Sequence, residues 1–533
     1  MTYCQDKQNS ILMKLHFSLL LFYLFTVTGI TAQEYYGKME GQKLDWAFYY
    51  LSENYVDSLD NTYLADLALR TIVAELDPFS SYQSKAEAEA QLNRDNGVTP
   101  PSIGFNFYMI DNSKPIISYI SRGGPAEKAG LKKGYQITFV NEQSLSNKSQ
   151  SEIREILNDT SYIELNIEYA DSNNSKYKTN LIKEYVPYYS VVSHYMIDGQ
   201  TGYIKLHSFT KNTVQECTEA IASLKKQGMQ KLILDLRDNV GGVMDQSLYL
   251  ADEFLSEGKL IHTRSGHGLE EIRHNSTSDG HYLSGDLICL VDSYSASSSE
   301  IFLGAIQEWD RGLIVGYPTY GKGLIQQSYK LGDGSTLRLT IGRYYTPTGR
   351  LLQRPKDDAW FDNLGINIES GTAMAALNLP DSVFTKTMSQ RKILAGTGGI
   401  YPDIYFVPKA ENKVALDKYN SNGHIYDFTT HYVHQYRRQL INSYTIPSNF
   451  RLDGSYKLTI SNAFKEYLRS QNFAEADDSE FGLPMNIIEQ IRSWIAAQVW
   501  DDNAYYQLLN VNDQTVQKAL ELFSDGTYNR IIR

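Results

Sequence analysis

Apolar residues along this chain recur first at helical and then at strand spacing. From Lys43 to about Asp95 the period is helical: Leu44, Phe48, Leu51 and Tyr55 share one face, and Leu64, Leu67, Ala68, Ile72 and Leu76 share another. Asp77-Pro78-Phe79 ends that run, because proline disfavours helix at the residue before it. Residues 98–186 read as short strands near Gly104–Ile110, Pro115–Ile120, Gln136–Val140 and Tyr162–Tyr169, with one helical stretch from Ser149 to Asn158. From Gly202 to about Pro408 buried strands alternate with amphipathic helices. The strands are Gly202–Leu206, Lys231–Leu236, Leu287–Val291 and Gly312–Gly316; the helices are Thr213–Lys226, Gln246–Leu255 and about Ser298 to Trp309. That alternation predicts βαβ units against a common sheet. Beyond Lys409 helical patterning returns, and Ile487, Ile488, Ile491, Trp494 and Ile495 on one face predict a packed accessory bundle.

At 533 residues the chain exceeds one core and predicts three or four domains. A net charge of −12 argues against a nucleic-acid-binding surface. Met13-Lys14 precedes an apolar run from Leu15 to Ile30, and Thr31-Ala32 offers a cleavage point before Gln33. Residues 1–32 therefore read as a signal peptide, with 1–12 an upstream extension, and predict export to a periplasm or the cell exterior. The run is short for a bilayer span, so no stable membrane span is expected after cleavage; a retained anchor is the alternative. Cys4 would leave with the signal. Cys289 reads as core, Cys217 lies in a helical pattern, and neither belongs to a metal-ligand spacing, so no metal or other cofactor is expected.

The candidate chemistry lies in three segments. In Ser295-Ala-Ser-Ser-Ser-Glu300, Ser297 follows a buried strand and opens a helix. The same residues are a capping box, with Ser297 as N-cap and Glu300 at N3. A helix N-terminus also supplies N–H donors and partial positive charge, which suit an oxyanion beside an attacking oxygen. A serine hydroxyl needs a base, and Lys322, in a glycine-flanked turn between apolar runs, meets that need if burial keeps it neutral. Gly316-x-x-x-x-Gly321-Lys322 imitates a nucleotide-binding loop, but Gly323 stands where a Mg²⁺-binding hydroxyl belongs and a strand pattern follows. In the third segment, Leu236-Arg-Asp-Asn-Val-Gly-Gly242, glycines after a buried strand let backbone N–H groups approach a ligand.

Residues 98–186 resemble a PDZ domain. Ser102-Ile103-Gly104-Phe105 stands at the carboxylate-binding loop, and Gly124-Pro125-Ala126, Ala129-Gly130-Leu131 and Gly134 match the short-helix segment, with Tyr135 replacing the usual aspartate. Such a loop binds a peptide terminus, and the peptide adds as a strand. Across residues 43–408 the chain resembles the carboxyl-terminal processing (tail-specific) serine peptidases. The matching segments, in order, are Leu76–Tyr82, the PDZ unit, Gly202–Phe209, Leu236–Gly242, Ser295–Ile301, Thr319–Gln326, Tyr344–Gly349 and Gly399–Ile404. The resemblance implies an α/β core of the ClpP/crotonase-like kind, with an inserted PDZ-like domain and helical N- and C-terminal regions. It implies Ser297 as nucleophile, Lys322 as base, Gln326 as the residue supporting the lysine, and Ser298 with Gly241 and Gly242 as the oxyanion hole. Ser298 departs from the family's small apolar residue and leaves a second hydroxyl beside the nucleophile.

The expected division is 33–97 helical, 98–186 PDZ-like, 187–408 peptidase core and 409–533 helical accessory domain. The expected partners are polypeptides with free C-termini, and a homo-oligomer is left open. Two other readings stand beside this one. One is a catalytically silent PDZ-type scaffold; the other is a Ser–His–Asp hydrolase using His207, His262, His267, His274 or His281.

Overall fold

The computed structural model describes residues 39–533 except 111–112, 172, 257–258, 266–271, 278–279, 356–360, 364–367, 410–415, 417–418, 420–422, 451–453, 472 and 474–482. The signal-like segment and His267 lie outside the described residues. The chain divides into two compact units, Met1–Ser84 and Lys85–Arg533.

In the first unit, residues 39–54 and Asn61–Ala74 are helical, as their periodicity predicts. Their apolar faces stay exposed, with Leu44, Leu67, Ile72 and Leu76 among the exposed residues. After the second helix the Asp77 carboxylate accepts the Phe79 and Ser80 N–H groups, each at 2.8 Å, which forms the turn that Pro78 requires.

The second unit begins with the helix Lys85–Asp95, and the β-rich region follows. Strands Phe105–Ile110, Lys114–Ile120, Gln136–Val140, Glu164–Ala170 and Lys176–Ile182 pair antiparallel in that order. Alternate residues Ile137, Leu165 and Ile167 point inward and are fully buried with Ile153 of helix Gln150–Asn158. A Ser149–Glu152 capping box starts that helix. Strand Val98–Ser102 pairs antiparallel with Glu184–Pro187, which closes the two ends of the region on each other.

The α/β core is a six-stranded sheet. Its strands are β1 (Val191–Met196), β2 (Thr201–Leu206), β3 (Lys231–Asp235), β4 (Asp286–Val291), β5 (Leu313–Gly316) and β6 (Ile404–Tyr405). β1 is antiparallel to β2, and every later neighbour is parallel. The spatial order follows the chain order throughout. Right-handed crossovers that always step the same way place their helices on one face. These are α1 (Thr213–Lys226), α2 (Met244–Asp252) and α3 (Ser298–Glu308), which share one apolar cluster with the sheet. Cys217 and Cys289 are free thiols buried in that cluster.

Residues from the chain's end cover the opposite face. Val516, Ala519, Leu522 and Phe523 of α4 (Gln514–Ser524) and Tyr528 of α5 (Thr527–Ile532) pack against Tyr203, Ile233, Ile288, Leu290 and Val315. Each such side chain contributes roughly 1.5–3 kcal/mol on full burial.

The preceding helices, His424–Ser443, Gly454–Ser470, Met485–Val499 and Asp502–Leu509, form their own cluster. Of the predicted face, Ile487, Ile488, Ile491 and Ile495 are fully buried there and Trp494 packs partly buried at its edge. This bundle also holds the β-rich region: Lys133 Nζ donates to the Ala497 carbonyl at 2.7 Å and Tyr108 Oη to that of Thr430 at 3.3 Å.

Candidate active site

The C-terminal ends of β3 and β4 carry two of the three candidate segments and are stapled together. The Asp292 carboxylate accepts N–H groups from Tyr294 and Ser295 at 3.0 Å and from Asp238 at 3.1 Å. Ser295 Oγ donates to the Leu236 carbonyl at 2.8 Å, while Ala296 N–H and Ser299 Oγ both donate to the Asn239 carbonyl. Asn239 is buried and donates Nδ2 to the Leu206 carbonyl at 2.9 Å, which ties the end of β2 into the same knot.

Ser297 stands where this knot meets α3, with φ 56° and ψ −114°. An ordinary N-cap is extended, so capping does not account for a left-handed φ. A non-glycine residue held there costs of order 1–3 kcal/mol, and such residues cluster at active sites. A serine on a sharp, strained strand-to-helix turn is the geometry of a nucleophile elbow.

Gly241 lies directly against this turn, with φ +96°. A Cβ on it would meet the Ala296 carbonyl oxygen at 2.7 Å, Ser297 Cβ at 2.9 Å and the Ser298 nitrogen at 2.9 Å. The three expected oxyanion-hole residues are therefore brought to the serine, but in different roles. The Gly241 N–H donates to Asn239 Oδ1 at 2.9 Å and is spent. Among the described residues the N–H groups of Gly242 and Ser298 have no such partner. The second hydroxyl is accounted for as well: Ser298 Oγ donates to the Gly242 carbonyl at 3.0 Å, so it fixes the glycine loop.

Lys322 follows β5 in the turn before strand Leu324–Lys330, so strand replaces the helix that a nucleotide-binding loop needs. Its Nζ donates to Gln326 Oε1 at 3.1 Å, the pairing the resemblance implies. The residue that joins this turn to the serine is Glu300, which sequence reasoning treats only as a cap. Glu300 Oε2 accepts the N–H of Ser297 and the N–H of Lys322, both at 2.8 Å, so one carboxylate oxygen carries both backbones. Glu300 Oε1 accepts the Gly321 N–H at 2.6 Å and the Thr319 hydroxyl at 2.5 Å. Burial pushes the Glu300 pKa up, and these four hydrogen bonds oppose the shift. The signal for this hub is faint but present: every residue of α3 is buried, and a charged N3 residue in such a helix requires donors from elsewhere.

A second charged group underlies the β2 and β3 ends. Asp235 is buried, and it pairs with Arg237 and with Lys205 Nζ at 3.3 Å. Burial alone would raise its pKa, but the charges of Arg237 and Lys205 overturn that and hold the carboxyl well below the usual range. Of the candidate histidines, His281 pairs with Glu253 at 2.6 Å and His207 is exposed. Among the described residues none of His207, His274 and His281 hydrogen-bonds Ser297.

In the β-rich region, the Ile103 and Gly104 carbonyls accept the N–H groups of Ala126 and Ser121 at 3.0 and 2.9 Å. Gly104 has φ +77°, and its N–H reaches only Ser102 Oγ at 3.3 Å. With those two carbonyls turned inward, the N–H groups of Gly104 and Phe105 in the same peptide units face the other way, the orientation an anion nest uses.

Residues 200–358 match the family model of peptidase family S41, and residues 91–168 match that of the PDZ domain. The chain thus carries one region similar to peptidase family S41 and one similar to the PDZ domain, and it has carboxy-terminal processing proteases among its relatives. Its relatives include the carboxy-terminal processing protease CtpA of Bacillus subtilis, 28% identical over 320 residues (60% of this chain, 68% of that protein). A probable CtpA-like serine protease of Staphylococcus aureus is 28% identical over 313 residues, which span 58% of this chain and only 62% of that relative's length. Among solved structures, the photosystem II D1 C-terminal processing protease aligns at 23% identity over 69% of this chain and 87% of its own, with a TM-score of 0.35. A putative S41 protease from Bacteroides fragilis aligns at 16% identity over 57% of this chain and 86% of its own, with a TM-score of 0.36. Neither score is high enough to carry an arrangement of parts from those molecules to this one.

Proposed function

We propose that this chain is an exported serine endopeptidase that cleaves polypeptides near their C-termini with Ser297 and Lys322. The observation that carries the proposal is the strained Ser297 backbone, held by the same carboxylate oxygen that holds Lys322. In this reading the neutral Lys322 amine takes the Ser297 proton as Oγ attacks the scissile carbonyl. The N–H groups of Ser298 and Gly242 receive the developing oxyanion, and the protonated lysine then passes its proton to the leaving amine. Water hydrolyses the acyl-enzyme with the same lysine as base. Gln326 fixes the Nζ position between transfers. The Ser102–Phe105 loop captures the substrate's terminal carboxylate, displacing the weak Ser102 contact, and presents the preceding residues as an added strand. Export to a periplasm or the cell exterior rests on residues 13–32. The sheet order, sequential and covered by crossover helices on one face, supports the ClpP/crotonase-like reading of the core.

The test is cleavage of an unstructured protein with a free apolar C-terminus by the full chain and by folded Ser297→Ala and Lys322→Ala variants. Cleavage by the parent and by neither variant is expected. Activity that survives Lys322→Ala sinks the dyad, and a folded parent that binds the peptide without cleaving it leaves the scaffold reading.

A further inference from the structure

Outside the carboxyl ends of the parallel strands lies a cavity of about 500 Å³, between the sheet and the C-terminal helices. In open α/β sheets this is where ligands bind. One wall, Asp292, Ser293 and Tyr294, runs directly into Ser297; the other is built by Tyr505, Tyr506, Asn510 and Asp513. The second wall lies outside the residues that match family S41.

The chemistry of the lining is one-sided. Tyr294, Tyr317, Tyr505, Tyr506 and Phe406 supply aromatic faces. Lys205 and Arg237 are consumed within the wall: Lys205 pairs with Asp235, and Arg237 pairs with Asp235 and with Asp513 at 2.9 Å. Those pairs balance, so Asp238 and Asp292 are surplus. Burial, and then the neighbouring Asp238, push the Asp292 pKa up, as expected of adjacent carboxylates short of a cation. Asn510, only 4% exposed, donates Nδ2 to Tyr195 Oη at 2.8 Å and so belongs to the wall. Aromatic faces and surplus carboxylates together select a cation.

We propose that this cavity binds the basic side chain, lysine or arginine, of a bound polypeptide. The preference for a cation rests on the cavity alone; that the cation belongs to a polypeptide rests on the peptidase reading above. A substrate strand reaching Ser297 would place one of its side chains beside Tyr294 and into the pocket.

The experiment titrates two short peptides, acetylated and C-terminally amidated, into the full chain carrying Ser297→Ala. One has lysine and the other norleucine at the same central position. The amide removes the carboxylate that the PDZ loop would hold, and Ser297→Ala removes turnover. The lysine peptide is expected to bind about tenfold more tightly, with the difference shrinking as salt rises. Asp238→Asn should abolish the difference; Asp238 is exposed with φ 60°, which asparagine adopts readily, so the fold is kept. Tyr294→Ser, at an exposed ring on the rim, should reduce it independently. Equal binding of the two peptides, or a lysine preference that survives both substitutions, overturns the proposal. If the preference holds while the parent chain cleaves nothing, the pocket stands and the peptidase reading fails.

Discussion

The two loops proposed to hold substrate are built in opposite ways. The Ser297 turn is fixed by side chains: buried Glu300 and Asn239 and half-buried Asp292 together accept backbone N–H groups from both candidate catalytic segments and from the glycine loop. The Ser102–Phe105 loop is fixed by its own backbone, through carbonyls bonded to Ala126 and Ser121 and a positive φ at Gly104. Side-chain scaffolding holds a strained conformation to the tolerance that bond-making needs, and it is brittle. Backbone scaffolding tolerates sequence change while it keeps an anion nest open to any terminus.

That contrast should survive a graded set of substitutions. The largest effect is expected beneath the first loop. Asp235→Asn leaves Arg237 and Lys205 buried against a neutral amide and should cost about 3–5 kcal/mol. Because the folded-state pKa of Asp235 is depressed, the unfolded chain binds the extra proton at low pH. Its stabilisation is therefore complete above the unfolded value of about 4 and is lost as pH falls below it. Urea unfolding at pH 7 and pH 3 should show a large loss for the parent and a much smaller one for Asp235→Asn; equal losses would refute the role of the ion pair.

Next comes Gly241→Ala, whose methyl would strike the Ser297 turn in a backbone region costing about 1–3 kcal/mol. Turnover should fall by about 100-fold, with peptide binding to the PDZ region unchanged. Smaller again is Gly104→Ala, which strains a φ of +77° in the second loop. It should weaken binding of a peptide with a free C-terminus by about tenfold, roughly the 1–2 kcal/mol of the left-handed penalty, and spare the cleavage of C-terminally amidated peptides. The least consequential is Ser102→Ala. Its hydroxyl makes only a 3.3 Å contact, so affinity should change by no more than about twofold; a tenfold loss would show that this loop, too, relies on side chains.

Much of the fold was legible because its signals are local. The helix Thr213–Lys226 and the strand Gln136–Val140 have the bounds that their periodicity predicts. Strand Lys176–Ile182, among polar residues and exposed along most of its length, carried no alternation to read. The candidate catalytic residues were legible as motifs, but the division of labour among them was not. That Ser298 holds Gly242 is a contact between segments 56 residues apart, and that Gly241 gives its N–H to Asn239, two residues back, depends on a turn that no periodicity announces. Glu300 shows the same limit, since its local role as a cap is real and conceals the Lys322 turn that shares it.

The cover of the sheet's second face has a consequence in time. Tyr203, Ile233, Ile288 and Val315 are apolar surface waiting for helices that begin at Gln514. A ribosome finishes every motif of the proposed active site nearly two hundred residues before it supplies that cover. Until those helices arrive, the sheet that carries the proposed active site has one apolar face uncovered, so the site's own segments cannot by themselves settle the layer they stand on.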